Sequence, residues 1–356
     1  MQVFAVIMAG GGGTRIWPLS RHNMPKQILN ISGNDAMINE TIRRCEGIIP
    51  YKNTYIVTVK PQKKILEKIL LTEIPTENIL IEPVGRNTAP CILYAAMHIY
   101  AKYGNAVMCV FPSDHYIGNV KEFRAKLSMA ITLAEKTDKL ITIGIKPTFP
   151  STGYGYIGFN IQSYNEGAYE VFEFVEKPGF ERAKEYVSSG NYLWNSGIFV
   201  WKISVILENF KRFLPRLYER AEEILNVIGT QDEQKVVEKV YPTLQNISID
   251  YGIMERSNDV LVIPGDFNWS DLGSWDALGA IFPADKDGNI VKADFIGIDT
   301  KNCIIYGNGK IIATIGLNNM IIVNTDDALL VCPKERAQDV KEIVARLKAQ
   351  NRTELL

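Results

Sequence analysis

Short apolar runs alternate with amphipathic stretches up to about residue 145, and that alternation narrows the fold more than any other property of the chain. Residues 3–9, 54–59, 79–81, 106–111 and 140–145 are brief and mostly apolar, as strands covered on both faces are. Between them, Met37, Ile38, Thr41, Ile42, Cys45 and Ile49 fall at helical spacing, and so do Ile65, Leu66 and Ile69. Residues 89–103 and 123–136 also read as helices, the first with Pro90 in its opening turn, where proline is tolerated. Strands and helices in this order predict an α/β fold with a mostly parallel mixed sheet and helices on both faces. Ligands of such sheets sit at the carboxyl ends of strands.

The texture changes twice. From residue 153 to about 281 it is mixed, with strands expected over 156–161, 171–176 and 196–201. Helices are expected over 203–210, 214–227 and 232–241. From about residue 285, Gly288, Gly297, Gly307, Gly309 and Gly316 separate short β-branched runs, which predicts a small β unit of stacked strands. Residues 334–349 close it as a charged amphipathic helix. The expected domains are therefore 1–284 and 285–356.

Composition removes several function classes. Hydrophobic residues make up 46% and charged residues 22% of the 356, as in an ordinary globular protein. The net charge of −1 provides no broad basic field for nucleic acid. Three histidines, and five cysteines with no Cys-x-x-Cys pair, do not predict a zinc site. The scattered cysteines fit a reducing cytoplasm. The first apolar run lacks a charged leader and is too short to cross a membrane, so it reads as a strand.

That strand empties into Gly10, Gly11, Gly12 and Gly13, with Arg15 and Lys26 close behind. Glycines let main-chain N–H groups approach an anion, and cations add the charge that backbone dipoles lack. A Walker A loop would need a second glycine where Arg15 stands, and the dinucleotide fingerprint fails at the same position. The run from Gly10 through Thr14, Arg15, Pro18, Pro25 and Lys26 instead resembles the signature of the sugar-nucleotide pyrophosphorylases. Ile16 replaces their usual Leu.

Further motifs resemble that family, and its guanylyltransferase branch in particular. Glu82-Pro-Val-Gly-Arg86-Asn87-Thr88-Ala89-Pro90 matches a segment of the mannose-1-phosphate enzymes, whereas thymidylyl and uridylyl relatives commonly carry Gln in place of Glu82. The chemistry agrees: guanine presents two donors, N1–H and N2–H₂, and an ionised carboxylate only accepts. On the residues alone, Asn87 or Thr88 also reads as a helix cap. Pro112-Ser113-Asp114-His115 follows an apolar run, and Asp271 lies in Trp269-Ser-Asp271-Leu-Gly-Ser-Trp275. Without the resemblance, each aspartate reads equally as a turn or capping residue. Glu176-Lys177-Pro178, Trp194-Asn195-Ser196-Gly197-Ile198-Phe199 and Gly153-Tyr-Gly155-Tyr-Ile157 resemble the family's sugar-phosphate segments.

The resemblance spans nearly the whole chain and implies a Rossmann-like nucleotidyltransferase domain followed by a short left-handed β-helix-like unit. It implies catalytic roles for Arg15, Lys26 and Lys177. Nucleotide binding falls to Ala9, Gly10, Gly11, Gly12, Gly13, Thr14, Glu82, Asn87 and Ser113. Gly155, Glu176 and Asn195 would bind the sugar, and Asp114 with Asp271 would bind Mg²⁺. The expected reaction joins GTP and mannose 1-phosphate, with no nucleic-acid or membrane partner; a homodimer is left open. Heptose or glucose 1-phosphate is the alternative substrate, and a non-catalytic nucleotide-sugar-binding paralogue is the alternative class. Loss of Lys26, Asp114 or Asp271 would have supported the latter, and all three are present. A further isomerase domain, known in bifunctional relatives, is not expected within the 356 residues. His22, His98 and His115 are given no role, His98 reading as a packed helical residue.

Overall fold

The computed structural model describes residues 1–356. In chain order the elements are β1 (Val3–Ala9), α1 (Met37–Arg44), β2 (Thr54–Val59), α2 (Lys63–Ile69), β3 (Ile79–Glu82), α3 (Thr88–Tyr103) and β4 (Val107–Pro112). Then come β5 (Tyr116–Ile117), α4 (Val120–Lys136), β6 (Leu140–Ile145), β7 (Tyr156–Phe159), β8 (Tyr169–Val175), α5 (Phe180–Ser189) and β9 (Tyr192–Lys202). Helices α6 (Ile203–Phe213), α7 (Pro215–Leu225) and α8 (Glu233–Val240) lead to β10 (Val260–Gly265) and β11 (Trp269–Ser270). The chain ends through β12 (Ile290–Lys292), β13 (Phe295–Ile298), β14 (Ile304–Gly307), β15 (Ile312–Ile315), β16 (Met320–Asn324), β17 (Leu329–Pro333) and α9 (Val340–Ala349).

Two compact units take interleaved segments of this chain. One comprises Met1–Gly10, Thr41–Ser113 and Asn119–Phe267; the other comprises Gly11–Glu40, Asp114–Gly118 and Asn268–Leu356. The division at 284/285 expected from sequence stays a proposal about chain order. The compact units divide otherwise, because residues 11–40 and 114–118 pack with the last ninety or so residues.

The first unit is built on a nine-stranded sheet in the order β3-β2-β1-β4-β9-β6-β10-β8-β7. β2 and β4 flank β1 in parallel, and β10 pairs in parallel with β6. β9 lies antiparallel between β4 and β6, and β8 is antiparallel to β10 and β7, so the other seven strands share one direction. This is the mostly parallel mixed sheet that the alternation predicts. Helix α3 is apolar nearly all round and buried from Ala89 to Met97, as a helix inside a core must be. It packs with Phe4, Val57, Trp201, Phe210 and Tyr241 in the main core. Each such side chain contributes about 1.5–3 kcal/mol by leaving water.

Some element ends differ from the sequence reading. β6 spans the residues expected. β9 begins four residues earlier than the expected 196, because Asn195 and Gly197 interrupt the apolar pattern while the strand continues through a bulge opposite Thr142–Gly144. Helix α4 begins at Val120, where the Asn119 side chain accepts a hydrogen bond from the Glu122 N–H at 3.1 Å. Of the expected closing helix, only Val340–Ala349 is α-helical; Lys334–Asp339 forms 3-10 turns.

The second unit contains the expected stack of short strands. β12, β14 and β16 run parallel, with Ile290, Ile304 and Ile321 in register, and β13 pairs in parallel with β15. β17 closes the stack antiparallel to β16. Ile290, Ile304, Ile321 and Val323 share a core with Ile16, Trp17, Leu29 and Trp275. The Trp275 indole N–H donates to the Trp17 carbonyl at 2.9 Å, fixing the segment after β11 to the segment after the glycines.

Candidate functional site

The expected site residues divide between the two units, and each set is built by its own unit. In the second unit, Gly11 and Gly12 are exposed, and a Cβ on either would meet nothing within 4 Å. Gly13 is different: its φ is +62°, and a Cβ there would lie 2.5 Å from the Lys26 Cβ. Both conformation and space demand glycine at this position. The Gly13 carbonyl also accepts the Ser20 hydroxyl at 2.5 Å. Thr14 is exposed, and Arg15 donates from Nη1 to Gln338 Oε1 at 3.2 Å.

Lys26 is the least exposed cation of the set, with 4% of its side chain accessible. Its Nζ donates to Asp114 Oδ2 at 2.9 Å and to the Asp271 main-chain carbonyl. One ammonium therefore ties the segment after β4 to the segment after β11. A buried ammonium needs such a partner, since an unpaired one is costly to desolvate. Burial pushes the Asp114 carboxyl up, but the Lys26 ammonium, aided by His115, outweighs this and holds it below the usual carboxylate range. Asp114 is thus ionised at neutral pH. Asp271 Oδ1 accepts from the Gly273 N–H at 2.9 Å, so this carboxylate also shapes its own turn. Ser270 Oγ accepts from Leu272 N–H at 3.1 Å; Ser274 stands before the 3-10 helix at Trp275 but makes no capping bond with it. His115 Nδ1 accepts from the Trp269 indole at 3.2 Å, a contact within the motif loops.

In the first unit, Ala9 ends β1 and its carbonyl accepts the Thr58 hydroxyl at 2.9 Å. Ser113 is buried after β4, with its N–H on the Met8 carbonyl at 3.2 Å. Glu82 ends β3 and is 3% exposed. A Cβ on Gly10 would come within 3.3 Å of Glu82 Oε2, so the glycine lets the backbone lie close to this carboxylate. Burial pushes the Glu82 carboxyl up to about 7, against the lowering effect of the Tyr241 hydroxyl that donates to Oε1. Asn87 has φ +68°, and its side chain accepts from the Thr88 N–H at 2.9 Å, so it occupies the capping position at α3.

The residues expected to bind the sugar also gather in the first unit. The Asn195 N–H donates to the Gly155 carbonyl at 2.9 Å. A Cβ on Gly155 would fall 2.6 Å from Glu176 Oε2 and 3.3 Å from the Asn195 Cβ, so glycine is required by close approach. Lys177 pairs with the Glu176 carboxylate and keeps an exposed side chain. The Asn195 amide is held at both ends: its nitrogen donates to Asp250 Oδ1 at 2.9 Å, and its oxygen accepts from the Gly197 N–H at 2.9 Å.

Two residues at these sites were not foreseen. Asp250 opens a π-helix, Asp250–Met254, and burial together with the Glu176 charge pushes its carboxyl up to about 6. Tyr241 is fully buried and reaches Glu82 across 159 residues of sequence. Neither stands in a motif that marks it. His98, expected to be packed, places Nε2 3.1 Å from Glu233 Oε1 on the wall of a cavity of about 640 Å³. None of the expected site residues lines that cavity.

The arrangement offers buried acceptor chemistry beside Gly10, a carboxylate–amide–lysine set at Gly155, and an ion-paired aspartate behind a glycine loop. Comparison with known proteins matches nearly the whole chain. A family described as nucleotidyl transferase matches residues 4–288, and one described as the MannoseP isomerase/GMP-like beta-helix domain matches residues 288–347. A mannose-1-phosphate guanylyltransferase of Escherichia coli is 38% identical over 99% of this chain and 75% of its own length. The alginate biosynthesis protein AlgA of Pseudomonas putida is 37% identical, over 99% of this chain and 73% of its own. A crystal structure from Thermus thermophilus, described as a mannose-1-phosphate geranyltransferase, superposes with a TM-score of 0.87 at 33% identity. That match covers 98% of this chain and 100% of the Thermus chain.

Proposed function

The chain belongs to the nucleotidyl transferase family, and on that premise we propose that it transfers GMP from GTP to α-D-mannose 1-phosphate, giving GDP-mannose and pyrophosphate. The observation that carries the reading is Glu82, a buried carboxylate with the glycine of the phosphate-loop motif, Gly10, close against it. Guanine supplies the two donors such a group needs, and uracil or thymine would set a carbonyl against it. The sugar choice rests on relatives named for mannose 1-phosphate.

A phosphate oxygen of mannose 1-phosphate attacks the α-phosphorus of GTP. One P–O bond forms as the bond to the bridging oxygen breaks, and pyrophosphate leaves with the electron pair. The nucleophile is already anionic, so no protein base or covalent intermediate is required. Catalysis is then alignment and charge neutralisation. Arg15 and the amides around Gly10, Gly11, Gly12 and Gly13 hold the triphosphate, with Ala9, Thr14, Asn87 and Ser113 completing the nucleotide contacts. Lys26 spends two of its three N–H donors on Asp114 and the Asp271 carbonyl. Its first task is therefore to hold those segments in place, and its remaining N–H is available to a phosphate. Lys177 meets the sugar phosphate as a point charge, while Glu176 and Asn195 accept and donate to sugar hydroxyls. At about 4 Å and an effective dielectric near 20, each cation–phosphate pair contributes roughly 4 kcal/mol before desolvation.

Magnesium fits the donors present. Asp114 and Asp271 are hard oxygen ligands, and Mg²⁺ typically takes one or two carboxylates and shares phosphate oxygens. Those two residues would hold it, and it would supply positive charge to the phosphates. The proposal also places the enzyme in the cytoplasm. Four of its five cysteines are buried and all five are free, which suits a reducing compartment.

Pyrophosphate release measured over a grid of nucleoside triphosphates and sugar 1-phosphates tests the proposal. GTP with mannose 1-phosphate should give the highest kcat/KM. A faster reaction with heptose or glucose 1-phosphate would replace the sugar. Binding without turnover in every combination would make the chain a sensor of nucleotide sugars.

A further inference from the structure

Glu82 is a reader of guanine only if its carboxylate is fixed and ionised when the base arrives. Its surroundings in the first unit are almost uncharged. Helix α3 faces it with Cys91 and Tyr94, and the 3-10 turn Tyr241–Thr243 faces it with Tyr241. Arg86, on the loop that follows, turns its guanidinium to the Pro242 carbonyl. The Tyr241 hydroxyl is thus the donor that the core presents to the carboxylate. Tyr241 itself is locked: it is fully buried, and its ring packs edge-on against Tyr94 at 5.6 Å. Two further bonds fasten the chain that follows Tyr241 to the start of α3. Ala89 N–H donates to the Ile247 carbonyl at 3.1 Å, and Ile249 N–H donates to the Thr88 hydroxyl at 2.8 Å.

We propose that Tyr241 is a positioning residue for base selection, its buried hydroxyl holding Glu82 Oε1 so that the carboxylate meets guanine in one orientation and with its charge stabilised. The proposal rests on the reading of Glu82 given above. An ionised carboxylate has about four acceptor sites. Tyr241 takes one, and guanine N1–H and N2–H₂ can take two more without competing. Burial raises the Glu82 carboxyl to about 7 even against the lowering effect of the hydroxyl. Without the hydroxyl, Glu82 would keep its proton to higher pH and would more often present an O–H to a donor edge.

The test is the pH dependence of kcat/KM for GTP and for ITP, which lacks the 2-amino group, in wild type, Y241F, E82Q and E82Q/Y241F. In wild type the GTP profile should fall on the acid side as Glu82 protonates. In Y241F that acid limb should move up by about one pH unit, with kcat/KM for GTP near neutrality down by about tenfold. The preference for GTP over ITP should narrow, while KM for mannose 1-phosphate and the alkaline kcat hold. E82Q should lack the limb, and adding Y241F to it should leave the profile unchanged. If E82Q loses the limb but Y241F keeps both the wild-type limb and the wild-type KM for GTP, Tyr241 is only a packed core residue. If E82Q keeps the limb and its base preference, the reading of Glu82 itself fails and takes this proposal with it. Near-UV circular dichroism checks the packing of Y241F. A shifted profile in E82Q/Y241F relative to E82Q would show an effect that bypasses Glu82, and would also overturn the proposal.

Discussion

Lys26 and Glu82 are both charged groups taken out of water, and they behave oppositely because one has a partner charge and the other does not. Lys26 is compensated by Asp114, so removing that carboxylate should harm the fold as well as the reaction. Asp114→Asn should lower unfolding free energy by about 2 kcal/mol, discounted because Asp114 is itself a third exposed. It should also cut turnover by about a hundredfold or more. Asp271→Asn should cut turnover similarly and cost less stability, since Lys26 keeps its bond to the Asp271 carbonyl and an Asn oxygen can still accept from the Gly273 N–H. Chemical denaturation and initial rates on the two variants check this; equal stability losses would contradict the division. Glu82 has no cation, and its carboxyl is raised from 4.5 to about 7. Between those values the unfolded chain has lost the proton and the folded chain keeps it, so stability falls as pH rises through the window and is flat above it. The shift corresponds to roughly 3 kcal/mol. In Glu82→Gln that loss should vanish, so the variant should gain stability relative to wild type from acid to neutral pH. Thermal or urea unfolding of both proteins across that range checks it, and a constant difference would contradict the burial argument.

At the scale of elements, one segment serves two purposes. Residues 241–250 bond Glu82 and the start of α3, then deliver Asp250 to the Asn195 amide. The proposed base side and the proposed sugar side of the first unit are therefore braced by the same stretch of chain. Its close contacts predict a selective defect: Gly155→Ala would drive a methyl into Glu176 and Asn195. KM for mannose 1-phosphate should rise about tenfold or more, with KM for GTP little changed. Steady-state kinetics with each substrate varied checks this, and an equal rise in both KM values would contradict the assignment of Gly155 to the sugar. These elements were unequally legible. β6 was readable to the residue because it is wholly buried and apolar. β9 extends beyond its sequence expectation because the polar Asn195 and a glycine with φ +69° sit inside it. The π-helix at Asp250 and the two-residue strands β5 and β11 carry no periodicity that a sequence reading could detect. Tyr241 was invisible for a different reason, since a buried tyrosine in a helical pattern looks like any core residue until its hydroxyl finds a partner.

For the whole molecule, strand–helix alternation up to residue 145 was enough for the sheet, and glycine spacing after 285 for the stacked strands. Sequence order could not disclose that residues 11–40 and 114–118 belong to the same compact unit as the last strands. That interleaving follows from Trp17, Ile16 and Leu29 sharing an apolar core with Trp275 and Ile304, a long-range choice made by packing. The motifs consequently fall into two sets, one with the glycine loop and aspartates and one with Glu82 and the residues expected on the sugar side. Under the proposed function, it is the buried Glu82 carboxylate that makes this nucleotidyl transferase a guanylyltransferase. The most direct measurement is the ratio of kcat/KM for GTP to that for UTP, with mannose 1-phosphate fixed, in wild type and Glu82→Gln. The account predicts a strong GTP preference in wild type. In the variant the ratio should fall by about tenfold or more, as an acceptor–acceptor clash worth roughly 1–3 kcal/mol is relieved for UTP and a charged acceptor is lost for GTP. An unchanged ratio would contradict it.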